Sequence, residues 1–337
     1  MRILIIGGTG TISTAVMREL IARGHEVILF NRGSTPVPGA RVICGDRYNH
    51  AGFAELLRGE GSFDCVLEMI GYAPDDAQSL IDVFSGRTKQ LVFCSTVDVY
   101  RKPAPSYPVR EGAPRWADPR FTYAANKVEM EHMLEHAASD GAFALTIVRP
   151  AATYCDASLP IAFLESGLGL LRRIREGKPV LVLGEGSSLW AYAHRDDVGR
   201  AIANAAGNPA TYGRDYIIAS EESMTWAQLY AAVARAMDAP EPRLVPVPTE
   251  LLMRVAPQDA AWCDYNFRFN NVFDNAAAKA DLGYQYTIRW EEGVARMLAH
   301  HAGSIAAAPL DPRVDALADE YFDWTARIEG ALRQPNE

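Results

Sequence analysis

Arg2-Ile3-Leu4-Ile5-Ile6-Gly7-Gly8-Thr9-Gly10-Thr11-Ile12-Ser13 is the stretch that decides the fold. A continuous apolar run stops at paired glycines, and apolar residues then recur at helical spacing as Ile12, Val16, Leu20 and Ile21. A strand that is apolar throughout is buried on both faces, as in a parallel sheet. The order strand, Gly-rich turn, helix is the context in which a dinucleotide pyrophosphate is held. Gly7 makes the tight turn and Gly10 lets the backbone approach the anion. The amides that open the helix, at Thr11 and Ile12, face the anion with the helix dipole assisting. Ser13 is small enough for the helix to pack closely on the strand.

The same rhythm runs outward from this stretch. Glu26–Phe30, Val42–Cys44, Phe63–Ile70, Gln90–Cys94 and Leu145–Val148 read as further strands, with helical stretches between them. Buried strands joined by helices imply a doubly wound α/β sheet with right-handed crossovers. After Pro150 the pattern loosens. Leu159–Arg175, Asp196–Ala206 and Thr225–Met237 read as helices, and Val180–Leu183 and Tyr216–Ala219 as short strands. A last amphipathic helix spans Arg313–Leu332, with Val314, Leu317, Tyr321 and Ile328 on one stripe. The expected division is a dinucleotide-binding domain at 1–155 plus about 190–222. A smaller, mixed substrate lobe takes 156–189 and 223–337, C-terminal helix included.

Composition narrows the function. The chain has 337 residues, with 33 Lys and Arg against 42 Asp and Glu, a formal charge of −9. Nucleic-acid binding needs a basic face, so the acidic balance argues against it. No stretch approaches the roughly 20 apolar residues of a membrane helix, and the N-terminus lacks the pattern of a signal peptide. The five cysteines, Cys44, Cys65, Cys94, Cys155 and Cys263, form no C-x-x-C pair. The expectation is a cytoplasmic protein with reduced thiols, no disulfide framework and no metal site. His132 and His136 share a helix face without the H-E-x-x-H order of a zinc site, and read as a solvated surface.

Two further constellations carry chemistry. The second strand ends Phe30-Asn31-Arg32-Gly33-Ser34, without the carboxylate that binds the ribose hydroxyls of NAD. Asn31 and Arg32 are therefore expected at the adenosine, with the planar Arg32 fork suited to a 2′-phosphate, which favours NADP over NAD. Asp46 is placed to accept from the adenine amino group, Arg47 beside it is expected at the cofactor as well, and Ile70 closes the fourth strand beside the cofactor. Tyr123 and Lys127 stand at i and i+4 on one helix face. A neighbouring ammonium favours phenolate. Lowering the phenol by about three pK units would take roughly 4 kcal/mol from Lys127 and a bound cofactor. Such a Tyr removes the proton of an alcohol while the carbon gives hydride to a nicotinamide. A hydroxyl at the end of the fifth strand, Ser95-Thr96, can reach the same oxygen. Between the two motifs, five prolines in Pro103–Pro119 suggest a stiff lid.

With these residues assembled, the chain resembles the extended short-chain dehydrogenase/reductases, the NAD-dependent epimerase/dehydratase family. The resemblance rests on Gly7–Ser13, Ser95-Thr96-x-x-Val99-Tyr100, Tyr123/Lys127 and Val148-Arg149-Pro150 followed by Tyr154. It also rests on Gly184-x-Gly186 with His194-Arg195-Asp196-Asp197, and on Lys279-Ala280-x-Leu282-Gly283-Tyr284. It implies a Rossmann-type fold, the catalytic trio Thr96, Tyr123 and Lys127, and Ser95 and Tyr154 near the substrate. Tyr123 and Lys127 also touch the cofactor. A homodimer built on the helix after Tyr123 is a further implication. Asp98 stands where dehydratase relatives place an auxiliary acid. Sugar-nucleotide relatives carry an Arg at the position of Trp190, which here is expected to stack on substrate, and Arg268 is the candidate second phosphate ligand. The expected activity is hydride transfer from a secondary alcohol of a sugar or sugar-nucleotide-like substrate through a keto intermediate. The alternatives are an NADPH-dependent ketone reductase acting on a non-nucleotide molecule, and a non-catalytic, RNA-associated NAD(P)-binding protein.

Overall fold

The computed structural model describes residues 1–161 and 164–333. In chain order the strands and helices begin β1 (Arg2–Ile6), α1 (Thr11–Ala22), β2 (Glu26–Asn31), β3 (Ala40–Cys44), α2 (His50–Arg58), β4 (Phe63–Glu68), α3 (Pro74–Phe84), β5 (Thr88–Cys94), α4 (Thr122–Ser139), β6 (Ala144–Pro150) and β7 (Ala152–Tyr154). They continue with α5 (Leu168–Arg175), β8 (Val180–Leu183), β9 (Leu189–Trp190), β10 (Tyr192–His194), α6 (Arg195–Ala205), β11 (Arg214–Ile218), β12 (Met224–Thr225), α7 (Trp226–Ala236) and β13 (Leu244–Val247). The chain then forms α8 (Thr249–Val255), α9 (Pro257–Trp262), α10 (Ala276–Leu282), α11 (Trp290–His301) and α12 (Pro312–Leu332). Among the described residues, no helix is long and apolar enough to cross a membrane.

The chain divides into two compact units. The first holds 1–155, 191–222 and 272–289; the second holds 156–190, 223–271 and 290–337. In the first, seven strands form one sheet in the order β11-β6-β5-β4-β1-β2-β3, and every pairing is parallel. The continuous apolar strands do what their sequence implied. Ile3 and Ile5 point into the core under α1 and α6, and Leu4 and Ile6 into the core under α2, α3 and α4. The sheet is thus a Rossmann-type doubly wound α/β layer with helices on both faces.

The segment 272–289, expected in the lobe, folds onto the first unit. Buried Asp197 accepts from the amides of Thr287 (2.7 Å) and Ile288 (2.9 Å). Asn275 exchanges two 2.9 Å hydrogen bonds with Ala219, and the Tyr284 hydroxyl donates to the Ala219 carbonyl. These are long-range polar pairings, invisible to hydrophobic periodicity. The Pro-rich segment is likewise no free lid. The Val109 amide donates to the Val272 carbonyl at 2.8 Å, and Glu111 accepts from the Ile217 amide at 3.0 Å. Val97, Val99, Tyr100 and Val109 close a small core of their own with Ile217 and Ala219.

The second unit is built of short pairs, β9 with β12 and β8 with β13, and of helices. The helix expected from Leu159 begins only at Leu168, because Gly167 before it sits at φ +67°. Residues 162–163 of that expectation lie outside the described residues. In α12 only Val314 and Ala318 are buried, and Ile328 at the far end of the anticipated stripe is exposed.

Close helix packing positions the cofactor end of the first unit. A Cβ on Gly199 of α6 would stand 2.5 Å from the Ala15 Cβ of α1 and 3.0 Å from its backbone. Gly199→Val is therefore expected to destabilise the protein by about 1–3 kcal/mol through overpacking, measured as a fall in denaturant midpoint with an unchanged m-value. An unaltered midpoint would mean that the two helices separate freely.

Candidate active site

The Gly-rich turn leaves β1 with Gly7 at φ +111° and Gly8 at φ +97°, left-handed backbone that glycine adopts without strain. A Cβ on Gly7 would also press on Ile70 at 3.1 Å, and one on Gly8 on Leu29 at 2.7 Å. Gly10 caps α1, and its amide donates to Ser13 Oγ at 3.0 Å. Asn31 ties the two neighbouring loops together: Nδ2 donates to the Gly7 carbonyl (3.0 Å) and Oδ1 accepts from the Gly33 amide (2.8 Å). These loops border a cleft of about 460 Å³ lined by Gly7, Gly10, Asn31, Arg32, Asp46, Tyr48, Ile70 and Tyr72, among others. Bare backbone at its floor, an exposed Arg32 and the Asp46 carboxylate suit an anionic dinucleotide. Gly7, Gly10, Thr11 and Ile12 would hold its pyrophosphate, and Asn31, Arg32 and Asp46 its adenosine.

Arg47 is corrected by its surroundings. Its guanidinium is buried and spent on Glu68 (2.9 Å), Ser79 (2.9 Å) and the Asp76 carbonyl (2.9 Å). It lines the cleft, but these three bonds hold its guanidinium to the protein, so its first role is to brace the cleft from beneath. Glu68 Oε1 in turn accepts from the Ile70 amide at 2.8 Å. The sequence signal was available: Glu68 is an acid directly after the apolar run Cys65-Val66-Leu67 of a central strand, which demands a buried partner.

At the catalytic end, Lys127 is 2% exposed, and its ammonium donates to the Cys94 carbonyl at 2.7 Å. The rings of Phe93 (4.7 Å) and Tyr72 (5.2 Å) flank it. Burial lowers its pKa from the usual lysine value, against the opposing pull of Cys94, Glu68, Glu131 and Asp76. One turn earlier on α4, Tyr123 is half-buried and hydrogen-bonded to Thr96. The phenol is not acidified here. Burial first, and the Asp98 charge second, push it well above the usual tyrosine value, and the Thr96 hydroxyl only partly offsets them. The acidification expected from Lys127 was to act together with a bound cofactor; in the protein alone the ammonium is directed at the Cys94 carbonyl.

Asp98 lies in the single turn after Thr96, its amide donating to Thr96 Oγ1 at 3.2 Å. Its carboxylate pairs with Lys102 at 2.8 Å, with both side chains about one-tenth exposed. Burial lowers the Lys102 pKa, and Asp98 opposes that shift. The i, i+4 spacing of Asp98 and Lys102 was the signal for this pair. Ser95 is buried. Burial pushes the nearby Glu131 carboxyl up, but Arg149 and Arg115 hold it below its usual range.

The remaining expected substrate residues are each engaged within their own unit. Tyr154 is 3% exposed, its ring edge-on to Tyr192 and His194 in the interior of the first unit. Trp190 belongs to the second unit and is 5% exposed. It stacks on Trp226 at 5.1 Å and meets Phe267 edge-on at 5.0 Å, so it is core and not a platform for substrate. Arg268, also in the second unit, is clasped by Glu250 (2.5 Å) and Asp264 (3.2 Å).

A bare glycine turn on a doubly wound sheet, with a Tyr/Lys helix beside the end of β5, defines an enzyme of the extended short-chain dehydrogenase/reductase class. The chain belongs to the NAD dependent epimerase/dehydratase family, whose model matches residues 3–219. It is 28% identical over 278 residues to 2′-dehydrokanamycin reductase of Streptomyces kanamyceticus, covering 81% of this chain and 77% of that protein. It is 28% identical over 328 residues to UDP-glucose 4-epimerase of Mycolicibacterium smegmatis, covering 88% and 97%. Its fold matches the UDP-glucose 4-epimerase of Thermotoga maritima, solved with UDP-glucose, at a TM-score of 0.71 and 20% identity, over 90% of this chain and all of that one (100%).

Lys102→Met should cost about 3–5 kcal/mol by stranding the Asp98 carboxylate in the interior. Lys102→Met with Asp98→Asn should recover much of that loss. Equilibrium urea unfolding of both variants provides the check, and a wild-type midpoint in Lys102→Met would show that the pair carries no stability.

Proposed function

We propose that this enzyme interconverts a ketone and a secondary alcohol on a sugar-like small molecule, with NADP preferred to NAD. The observation that carries this reading is the convergence of Thr96, Tyr123 and the buried Lys127 at the carboxyl edge of the sheet, where such clefts lie. When bound, the nicotinamide supplies the hydride or takes it up. A phenol held above its ordinary pKa stays protonated across the working range, so Tyr123 is set to donate its proton to the oxygen of a carbonyl. Thr96, already bonded to the phenol, orients that proton and can share the same substrate oxygen. Lys127 fixes the first turns of α4 against the end of β5. In the oxidative direction the same phenol must first lose its proton, which burial and Asp98 oppose. NADP preference is supported by the exposed Arg32 on the cleft and by the lack of an acid at the end of β2.

The substrate reading favours a molecule without a nucleotide diphosphate. Two positions were expected to touch a diphosphate: one holds an internal tryptophan, and the other an arginine spent on two carboxylates. A relative named as a reductase of 2′-dehydrokanamycin is consistent with this. A second reading, epimerisation or dehydration of a sugar nucleotide, is supported by the name of the UDP-glucose epimerase relative. In that reading Asp98, beside Thr96, serves the second proton.

Tyr123→Phe should lower NADPH-dependent carbonyl reduction by about 10²–10⁴-fold while leaving NADPH affinity near wild type; equal turnover in that variant sinks the reading. The wild-type rate of reduction should hold from neutral into mildly alkaline pH, because the group that must stay protonated titrates above the usual tyrosine value. A pH–rate profile that falls below neutrality on the alkaline side would assign the proton to another group. Arg32→Ser should narrow the preference for NADPH over NADH by about tenfold or more, in line with a charge-assisted pairing, read from the two dissociation constants.

A further inference from the structure

Tyr72 has no part in the reading above, yet it is unusually prepared. It follows β4, beyond Gly71, at the carboxyl edge of the sheet. A Cβ on Gly71 would stand 2.8 Å from the tip of the Met130 side chain and 3.3 Å from Glu68. The chain therefore passes close under α4 before Tyr72 emerges. Three bonds then fix the local backbone. The amides of Tyr72 (2.8 Å) and Ala73 (3.0 Å) donate to Asp76 Oδ2, and Asn126 Nδ2 donates to the Tyr72 carbonyl at 2.9 Å. Asp76 is itself buried and bonded through Oδ1 to His50 at 2.8 Å. Asn126 lies on α4 between Tyr123 and Lys127.

On this fixed backbone the ring is left 44% exposed. It lines the same cleft as Gly7 and Arg32. It also stands 5.2 Å from the Lys127 ammonium, with its centroid 6.2 Å from that of Tyr123. A large flat ring kept in water, at the end of a cleft and against two catalytic side chains, gains most by being covered by another flat ring. Arg32 and Asp46 suit the charged and hydrogen-bonding adenosine half, whereas Tyr72 adjoins the reacting pair. We infer that Tyr72 is the stacking platform for the nicotinamide half of the cofactor, and that it seals water from the Tyr123–Lys127 pair once the cofactor is in place. This rests on the cofactor reading above and adds to it a binding residue that sets the position of the hydride-bearing ring.

The test compares wild type, Tyr72→Ala and Tyr72→Phe. NADPH and NADH binding is followed by nicotinamide fluorescence, and ADP-ribose with its 2′-phosphate form by calorimetry. Tyr72→Ala should bind both reduced cofactors roughly tenfold more weakly and lose the fluorescence enhancement, while the two ADP-ribose ligands bind as before. Tyr72→Phe should match wild type in all four measurements, since the ring and not the hydroxyl does the stacking. Wild-type NADPH affinity in Tyr72→Ala overturns the inference, and so does an equal loss of ADP-ribose binding, which would mark Tyr72 as a support of the loop. Should the alanine variant fail to fold, Tyr72→Leu is read by the same criteria. If wild type itself binds neither reduced cofactor, the proposed function fails and takes this inference with it. Cofactor binding that is indifferent to Tyr72 overturns the inference alone.

Discussion

A buried ammonium organises the catalytic half of this protein. Lys127 gives up its hydration, a cost that a single neutral carbonyl does not repay on its own. The Cys94 carbonyl at 2.7 Å fixes where the ammonium sits, and the faces of Phe93 and Tyr72 add cation–π attraction. Beyond them, Glu68, Glu131 and Asp76 supply negative potential. Each of those carboxylates is buried and must be satisfied in turn: Glu68 by Arg47, Glu131 by Arg149 and Arg115, Asp76 by His50 and two backbone amides. One cation thereby commits the ends of β4 and β5, the start of α3 and the first turns of α4 to a single arrangement. Tyr123 falls beside Thr96 because Lys127, one turn along, can go nowhere else.

That constraint also decides the acid–base character of the site. A lysine four residues from a tyrosine suggests a phenol lowered toward neutrality. The geometry separates the two roles: the ammonium serves the backbone, and the phenol answers to burial and to Asp98. Lys102 pairs with Asp98 at 2.8 Å, so the charge close to Tyr123 has a partner in the interior. In the proposed reaction the Tyr123 phenol, held up by burial, is the group that gives its proton to the substrate oxygen.

The fold was legible because local pattern and global architecture agree. Continuous apolar strands can only be buried on both faces, and Ile3–Ile6 divide between two cores as that rule requires. Gly7, Gly10 and the Tyr123/Lys127 spacing were readable because each answers to a local need, a left-handed turn or a shared helix face. What escaped was long-range and polar. Nothing in the periodicity of 272–289 says that Asp197 and Asn275 bind it to the first unit. Arg47 reads as a cofactor ligand by its neighbour Asp46, yet Glu68, twenty-one residues on, claims it. Tyr72 carries no motif at all; only its fixed backbone and open ring, seen in three dimensions, mark it.

The second unit bears on the proposed substrate. An arginine binds a diphosphate only if its fork is available, and the Arg268 fork already holds Glu250 and Asp264. A phosphate would have to displace two carboxylates and leave them close to its own charge. Trp190 is equally committed, since exposing its ring would break its stack on Trp226 and its edge-on contact with Phe267. The neutral phenol in the first unit and the spent arginine in the second arise from unrelated residues, and they bear on different questions, the direction of proton transfer and the class of substrate. Both are compatible with the proposed substrate, a carbonyl on a small polar molecule.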